Sequence, residues 1–508
     1  MNLILRLLRL KHVDTLVAAI AGFLIIFAFT RHSGIGISPD SVVYLSTARN
    51  AFQYGSYKDF DGNALVIFPL LYPGFLNFWM IITRLDPLVF VPLLNASLFA
   101  MLIYISGRMI EGFVNHSRWY LQIALFGLML SPCMLEIYSM MWSETLFMLL
   151  FLFFILSLSR YLKNPGISRL LFLSLITGMA CLTRYAGITL IATGVLMIFF
   201  SFHSSFKKKI LNILLFGLIS SSMLGANLIR NHLYSSTLTG NREKSLSSLS
   251  DNIGNFGAIL CTWLPLPENS LWLSFVIAVI LLIIFIVVFI RRRHSHMHYE
   301  SYENISTCFF AVYGLFMILS ATMSRYETFS SRLVSPAFIP MVWGGSSMII
   351  LYRDTVSKEK KFWVTLFTLL IFGCFQIKQL QNDFENYDGI KDAGVPGYTE
   401  DPWNTDSEIV NFLRNHFNGF QKGYTLYSNS DDAVYFYTGL PCTMLPHEIS
   451  EREKTKYYNN DKCYLIWFDD TVNIELFSQD QAVSHPRMRI LYRFSNGVIY
   501  ITTENAIQ

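Results

Sequence analysis

Charge is what this sequence has least of. Only 15% of its 508 residues are Asp, Glu, Lys or Arg, while 53% are hydrophobic and 15% aromatic; soluble domains usually carry about a quarter charged residues. Such a composition belongs to a membrane protein. The net charge of +4 is small and unevenly spread, and no basic stripe with interleaved aromatics exists to read a nucleic acid. The seven cysteines show no CxxC and no Cys/His grouping of zinc spacing, so neither a disulfide framework nor a structural metal is indicated; Cys442 and Cys463 are the pair that a bridge in the polar tail would join. Walker A, GxGxxG and GxSxG patterns are missing, which leaves nucleotide-driven transport and serine hydrolysis without support. Internal repeats and low-complexity segments are missing too. The histidines of "RRRHSHMH", residues 291 to 298, have no carboxylate nearby and read as a basic flank rather than a metal centre.

What is present is a succession of long apolar runs. A helix needs roughly 20 apolar residues to cross about 30 Å of hydrocarbon, somewhat fewer when flanking residues snorkel. Runs near 13–30, 88–107, 119–135, 143–159, 170–183, 186–202, 210–229, 271–290, 305–322, 335–351 and 362–378 give about eleven spans on this criterion. The first, after "MNLILRLLRLK", has no small-residue cleavage site and reads as an uncleaved span. Lys and Arg stay on the cytoplasmic side. With the N-terminus inside, the inner segments carry "RLLRLK", "GRMIEGFVNHSR", "SRYLKNPGISR", "KKK", "RRR" and "YRDTVSKEKK". That parity puts the segment around Asp40, and everything beyond about residue 380, outside the cytoplasm.

The expected architecture is therefore an α-helical polytopic membrane domain over residues 1–380, followed by a small α/β extracytoplasmic domain over 381–508. In the tail, "TDSEIVNFLRNHF" has helical periodicity, whereas "GYTLYS", "KCYLIWF" and "GVIYITT" are strand-like. The outer loop 31–87 is more than linker. Val42, Val43, Leu45 and Ala48 recur at near-helical spacing, and "PLLYPGFLNFWMIITRL" is apolar but interrupted by Pro69 and Pro73, so amphipathic helices along the membrane surface are expected there.

Ionisable groups at the outer ends of spans are the candidates for chemistry, because a charge near hydrocarbon must be solvated, paired or used. Asp40, in "SPDSVVYLSTARN", reads either as part of a helix N-cap with Ser38 or as a general base able to take a proton from an acceptor hydroxyl. Glu144, in "WSETLF", is either a favourable acid in a first helical turn or a second carboxylate that tunes Asp40, binds a divalent cation or anchors sugar hydroxyls. Glu136 is a weaker candidate. Arg184 in "LTRYAG", Arg230 in "RNHLYSSTLTGNR", and Arg325 with Arg332 in "SRYETFSSRLVSPAF" are interfacial arginines whose guanidinium groups suit a phosphate ester.

Taken together, the acid after the first span, the "PLLYP" stretch, "SETLF", "LTRYAG" and "RNHLYSSTLTGNR" resemble the GT-C class of integral membrane glycosyltransferases. Within it, the likeness is to bacterial family 39, which includes protein O-mannosyltransferases and the lipid A aminoarabinose transferase. It covers most of residues 1–350, and "YSNSDDAVYFYTGLP" resembles the extracytoplasmic domain of bacterial members. The resemblance implies transfer of a sugar from a polyprenyl-phosphate carrier to a glycan, lipid or protein hydroxyl, with inversion, at the outer face of a bacterial inner membrane. It implies Asp40 as the base or acceptor-orienting group, Glu144 as the acid opening the fourth span, and Arg184 as a donor-phosphate ligand; Arg230, Arg325 and Arg332 are the further cations at outer helix ends expected to bind that phosphate. No cofactor is implied with certainty, and participation of a divalent cation stays open. Ser41 follows Asp40 where protein mannosyltransferases carry a second acid, which turns the expectation away from a protein acceptor and from mannose. The rival readings are a polytopic secondary transporter or flippase, and a polysaccharide polymerase or ligase using a diphosphate-linked donor.

Overall fold

The computed structural model describes the chain except residues 1–11, 114–117, 203, 241, 243, 265–269, 296–298, 325–328, 417–418, 472, 474 and 504–508. Each apolar run lies on a helix. The helices are Val13–Phe29, Pro87–Phe113, Arg118–Met129, Glu144–Lys163, Ile167–Thr183, Ile188–Phe199, Phe206–Ser235, Leu271–His294, Tyr302–Met323, Phe338–Thr355 and Lys358–Ala393. Among the described residues seven helices are long and apolar enough to cross a membrane, or up to eight if a bent pair counts as one span; Val13–Phe29, Ile167–Thr183 and the stretch Tyr185–Phe199 are apolar but shorter. The run 119–135 is the bent pair: Tyr120–Met129 and Pro132–Ser139 meet at 46°. Pro132 has no N–H to continue the ladder and holds Ser131 in extended backbone (φ −84°, ψ 118°), so the helix stops and restarts.

The chain forms two compact units. The first comprises residues Met1–Ala28, Val66–Tyr72 and Pro92–Asp388. Its interior is built around Glu144–Lys163 and Tyr302–Met323, in whose 18-residue apolar stretches 83% and 67% of the residues are buried, against 11% in that of Lys358–Ala393. Phe151 and Phe309 meet at 4.4 Å between ring centroids. Where helices cross closest, glycine is obligatory: a Cβ on Gly257, in the helix Leu249–Trp263, would lie 1.8 Å from the Ser274 carbonyl oxygen. Backbone-to-backbone contact of this kind is how membrane helices associate without a hydrophobic driving force. Helix Leu249–Trp263 itself lies between the apolar runs 210–229 and 271–290, where no run marks an element.

The second unit comprises Phe29–Leu65, Pro73–Val91 and Gly389–Gln508. Its sheet has strands β1 (Thr425–Ser428), β2 (Thr443–Met444), β3 (Cys463–Phe468), β4 (Met488–Phe494) and β5 (Gly497–Thr502) in the order β2-β1-β3-β5-β4. β1 is parallel to both β2 and β3, and β5 is antiparallel to β3 and β4. The three strand-like segments of the tail are β1, β3 and β5, and its helical segment is Glu408–His416. Both faces are covered. Ile409, Leu413, Val434 and Ile466 bury one side, and Leu465, Tyr457, Phe477 and Val498 the other. No two cysteines are disulfide-bonded, and Cys442 and Cys463 are buried thiols.

The segment that follows the first apolar run is also in this unit. Its helix Pro39–Tyr54 buries Val42, Tyr44, Leu45, Thr47, Ala48 and Ala51, a wider face than a single amphipathic stripe.

Candidate functional site

In the first unit, three residues from distant parts of the sequence meet. Glu144 opens the helix Glu144–Lys163 and is fully buried. Its Oε1 accepts from Arg332 Nε at 2.7 Å and forms an ion pair with Arg184 Nη1. Arg184 Nη1 also donates to Ser143 Oγ at 3.2 Å, and that hydroxyl in turn reaches Glu144 Oε2 at 3.4 Å.

Each arm of this arrangement has a local cause. Arg184 sits in extended backbone (φ −146°, ψ 140°) between the end of Ile167–Thr183 and the turn Tyr185–Gly187. The turn closes tightly because Gly187 lies against the Cys181 backbone, where a Cβ would come within 2.6 Å. Arg332 is carried by the short helix Ser331–Val334. That helix is pinned by Trp263 Nε1 to Ser331 Oγ at 3.0 Å and by Tyr313 Oη to the Leu333 carbonyl at 2.7 Å. The Arg332 guanidinium lies 4.1 Å over the Trp142 ring, a geometry that adds cation–π attraction. Approach to Glu144 is set by buried Asn95, which donates to the carbonyls of Tyr138 and Met140 at 3.1 and 2.9 Å and so ties down the chain end after the bent pair.

Two guanidinium groups thus converge on one carboxylate. The carboxylate has no exposure, whereas the side chains of Arg184 and Arg332 retain 15% and 17%. Within this trio the guanidinium groups, not the Glu144 carboxylate, keep exposed surface. Buried Tyr72 and the neighbouring Glu136 lie within electrostatic reach of Glu144 and Arg332. Arg230 joins a second group, donating to Asn231 Oδ1 at 3.0 Å with its guanidinium 5.3 Å over Tyr234. Arg242 there donates to the Ile67 carbonyl. Arg325 lies outside the described residues.

In the second unit, Asp40 stands in the first turn of Pro39–Tyr54. The N-cap position belongs to Ser38, whose backbone N–H donates to Ser41 Oγ at 3.1 Å. Asp40 is thus left in the turn where the helix dipole favours an anion. Its loop is fastened to residues 395–399: Val395 N to Ser33 Oγ at 2.9 Å, Tyr398 N to the Ile37 carbonyl at 2.8 Å, and Thr399 Oγ1 to the Ile35 carbonyl at 3.1 Å. Gly397 permits this, with φ +112° and a would-be Cβ 2.2 Å from the Ile37 oxygen.

Around Asp40 lies a group of carboxyls that sequence reasoning missed. Asp431 and Asp432, both 8% exposed, open the helix Asp431–Thr438 directly after β1. Tyr398 Oη donates to Asp432 Oδ2 at 2.8 Å and contacts Ser430 Oγ at 3.2 Å. Burial pushes Asp432 up to about 6, against the pull of Tyr398 and of backbone N–H groups, and the Asp40 charge adds to the rise. Burial, with Asp432 and Asp61 as like-charged neighbours, also pushes Asp431 well above the ordinary carboxylate range. The switch in strand order beside β1 is a favoured ligand crevice in α/β sheets, but here Asn429 fills it: its Nδ2 donates to the Phe468 and Thr471 carbonyls, and its Oδ1 accepts from Phe468 N. Among the described residues no three His, Cys, Asp or Glu side chains are grouped as a metal ion would require.

No family model and no curated protein matches the sequence. Solved structures do match in fold. ArnT from Cupriavidus metallidurans bound to undecaprenyl phosphate superposes with a TM-score of 0.57 over 97% of this chain and 98% of its own, at 10% identity. The oligosaccharyltransferase of Archaeoglobus fulgidus, in complex with Zn and sulfate, gives 0.56 over 90% of this chain and 68% of its own at 9% identity. The archaeal oligosaccharyltransferase AglB from the same organism, in complex with an inhibitory peptide and a dolichol-phosphate, gives 0.51 over 96% and 74%, also at 9%. The chain thus has the GT-C fold, in a multi-pass membrane protein with a small C-terminal sheet.

Proposed function

We propose that this protein is a glycosyltransferase that moves a sugar from a polyprenyl-phosphate carrier to an acceptor hydroxyl at the extracytoplasmic face of a bacterial inner membrane. The convergence of Arg184 and Arg332 on buried Glu144 carries the reading. Guanidinium groups hold phosphate oxygens in fixed geometry, and a buried carboxylate that fixes both side chains prepares them before the ligand arrives. Two of the solved structures with this fold have a polyprenyl-type lipid phosphate bound, undecaprenyl phosphate in one and dolichol-phosphate in the other.

In this reaction Asp40 takes the proton of the acceptor hydroxyl as the acceptor oxygen forms its bond to the anomeric carbon. The bond from that carbon to the phosphate oxygen breaks on the opposite side, so configuration inverts. The electron pair stays with the polyprenyl phosphate, whose growing negative charge Arg184 and Arg332 stabilise. Glu144 acts here as a positioning residue, since its carboxylate is wholly engaged. Arg230 is assigned to the lipid phosphate's approach.

Mass spectrometry of lipid carriers in a deletion strain tests the reading. Accumulation of a monophosphate polyprenyl lipid bearing one sugar is the expected result. A diphosphate oligosaccharide would move the assignment to a polymerase or ligase, and an unchanged lipid pool to a transporter.

A further inference from the structure

The last membrane helix is built inside out. Along Lys358–Ala393, Ile371, Ile377 and Phe384 are 59%, 59% and 66% exposed, while Gln379 and Asp383 are 5% and 8% exposed. Polar side chains in membrane helices face protein interior or a hydrated cavity because hydrocarbon gives them no partner. Here the inward polar positions, Gln376, Gln379 and Asp383, follow the spacing i, i+3, i+7 and share one helical face. Among the described residues nothing partners them. Gln376 Nε2 and Oε1, Gln379 Oε1, and Asp383 Oδ1 and Oδ2 are all buried without a hydrogen bond from the described residues. Beside Gln376 the neighbouring helix Arg118–Met129 presents Gly127, whose would-be Cβ would lie in ordinary contact with Phe372 and Gln376 at 3.5 and 3.8 Å.

The inventory of unsatisfied atoms selects the ligand class. It holds four acceptor oxygens and one donor, so it calls for a molecule rich in O–H groups with at least one acceptor. A phosphate, which is acceptor-rich and anionic, is the wrong match. A single cation is also wrong, because the three residues span roughly 10 Å along the helix axis and coordination distances are about 2.0–2.6 Å. We propose that Gln376, Gln379 and Asp383 form a subsite for the hydroxyl groups of a sugar. The subsite deepens the proposed reaction, on which it rests only for the source of that sugar.

Thermal unfolding of the full-length protein in nanodiscs tests this. The probes are methyl glucoside, methyl mannoside, methyl galactoside, N-acetylglucosamine and polyprenyl-phosphate-linked glucose, with polyprenyl phosphate without sugar, inorganic phosphate and magnesium chloride as controls. At least one sugar raises Tm saturably and magnesium chloride does not; inorganic phosphate reads the Arg184 and Arg332 pair instead, so any rise it gives is unchanged in the subsite variants. In the double variant Gln379→Leu/Asp383→Leu the half-saturating concentration of that sugar rises at least about tenfold, the equivalent of about 1.4 kcal/mol. Asp383→Asn, which keeps the side-chain shape, weakens the response as well and stands in should the double variant not fold. A response to free glycosides marks an acceptor sugar, and one confined to the lipid-linked probe and larger than that of polyprenyl phosphate without sugar marks the donor's. No response to any sugar, a response to magnesium instead, or an unchanged response in the variants overturns the subsite. Because the readout is binding, a protein that binds sugar in this way yet transfers none sinks the proposed reaction and leaves the subsite standing.

Discussion

The two charged centres of this chain treat a buried carboxylate in opposite ways. Glu144, with no exposure, is met by two guanidinium groups. Asp432, nearly as buried, is met by a tyrosine hydroxyl and by like charges. The first arrangement keeps its charge by compensation and cannot lose a member without exposing the others to an unpaired state. The second responds to burial by holding a proton more tightly. One is suited to fixing cations for a phosphate, and the other to handling protons, the task proposed for Asp40 beside it.

That division predicts its own largest failure. Asp40→Asn should lower transfer by about 10²- to 10⁴-fold, the range for loss of a general base, with donor binding and Tm close to wild type. Turnover kinetics with saturating donor check it; near-normal turnover would remove proton transfer from this region and with it half the contrast.

Carboxylate-to-amide substitutions in the two centres should then have opposite signs. Glu144→Gln leaves two cations side by side without their anion and should destabilise by about 3–5 kcal/mol, as breaking a buried ion pair does, with a matching loss of affinity for polyprenyl phosphate. Asp432→Asn should stabilise at neutral pH. The folded-state value of about 6 exceeds the ordinary 3.8, so the native state binds the proton more tightly than the unfolded one. Stability therefore falls as pH rises from about 3.8, and the penalty is complete above about 6. Asparagine abolishes that slope and should recover up to about 3 kcal/mol at pH 7.5. Denaturant or thermal unfolding across pH 4 to about 8 reads both the sign and the slope. If both substitutions move stability the same way, the contrast between the centres is lost.

Much of the fold was legible because hydrocarbon imposes a simple length criterion: the apolar runs became helices, with 119–135 split into a bent pair. The cationic centre was legible for a related reason, since Glu144, Arg184 and Arg332 each interrupt or flank apolar sequence, where a charge demands an explanation. The bend at Pro132 was in principle readable from the proline alone. The carboxyls around Asp40 were not. Asp431 and Asp432 lie in a tail where acids are ordinary, and only the folding of residues 33–40 onto 394–400, more than three hundred positions away, gives them their environment. Strand β4 was missed because its residues are largely exposed on both faces and lack the alternation that marks a half-buried strand. The polar face of the last helix was not legible because only Gln376 falls within the apolar run 362–378, while Gln379 and Asp383 follow it, where polar residues are ordinary.

The smallest expected effect is also the most local. Tyr398→Phe deletes one hydroxyl and leaves the rest of the residue's duties in place: its backbone N–H still reaches the Ile37 carbonyl, its carbonyl still accepts from Tyr437 Oη at 2.7 Å, and its ring still stands 5.1 Å from Trp403. What disappears is the donor at 2.8 Å from Asp432 Oδ2, one of the influences holding the Asp432 carboxyl down. The stability change should be only about 1 kcal/mol, typical of a single hydrogen bond, but its pH profile is diagnostic. Without the donor the charged carboxylate loses support, so the upper end of the pH range over which stability declines should move above about 6. In the Asp432→Asn background the same substitution should move no such limit, because the group that titrates is gone. A Tyr398→Phe profile superimposable on wild type would mean that the hydroxyl merely packs, and that burial alone sets the proton affinity of this region.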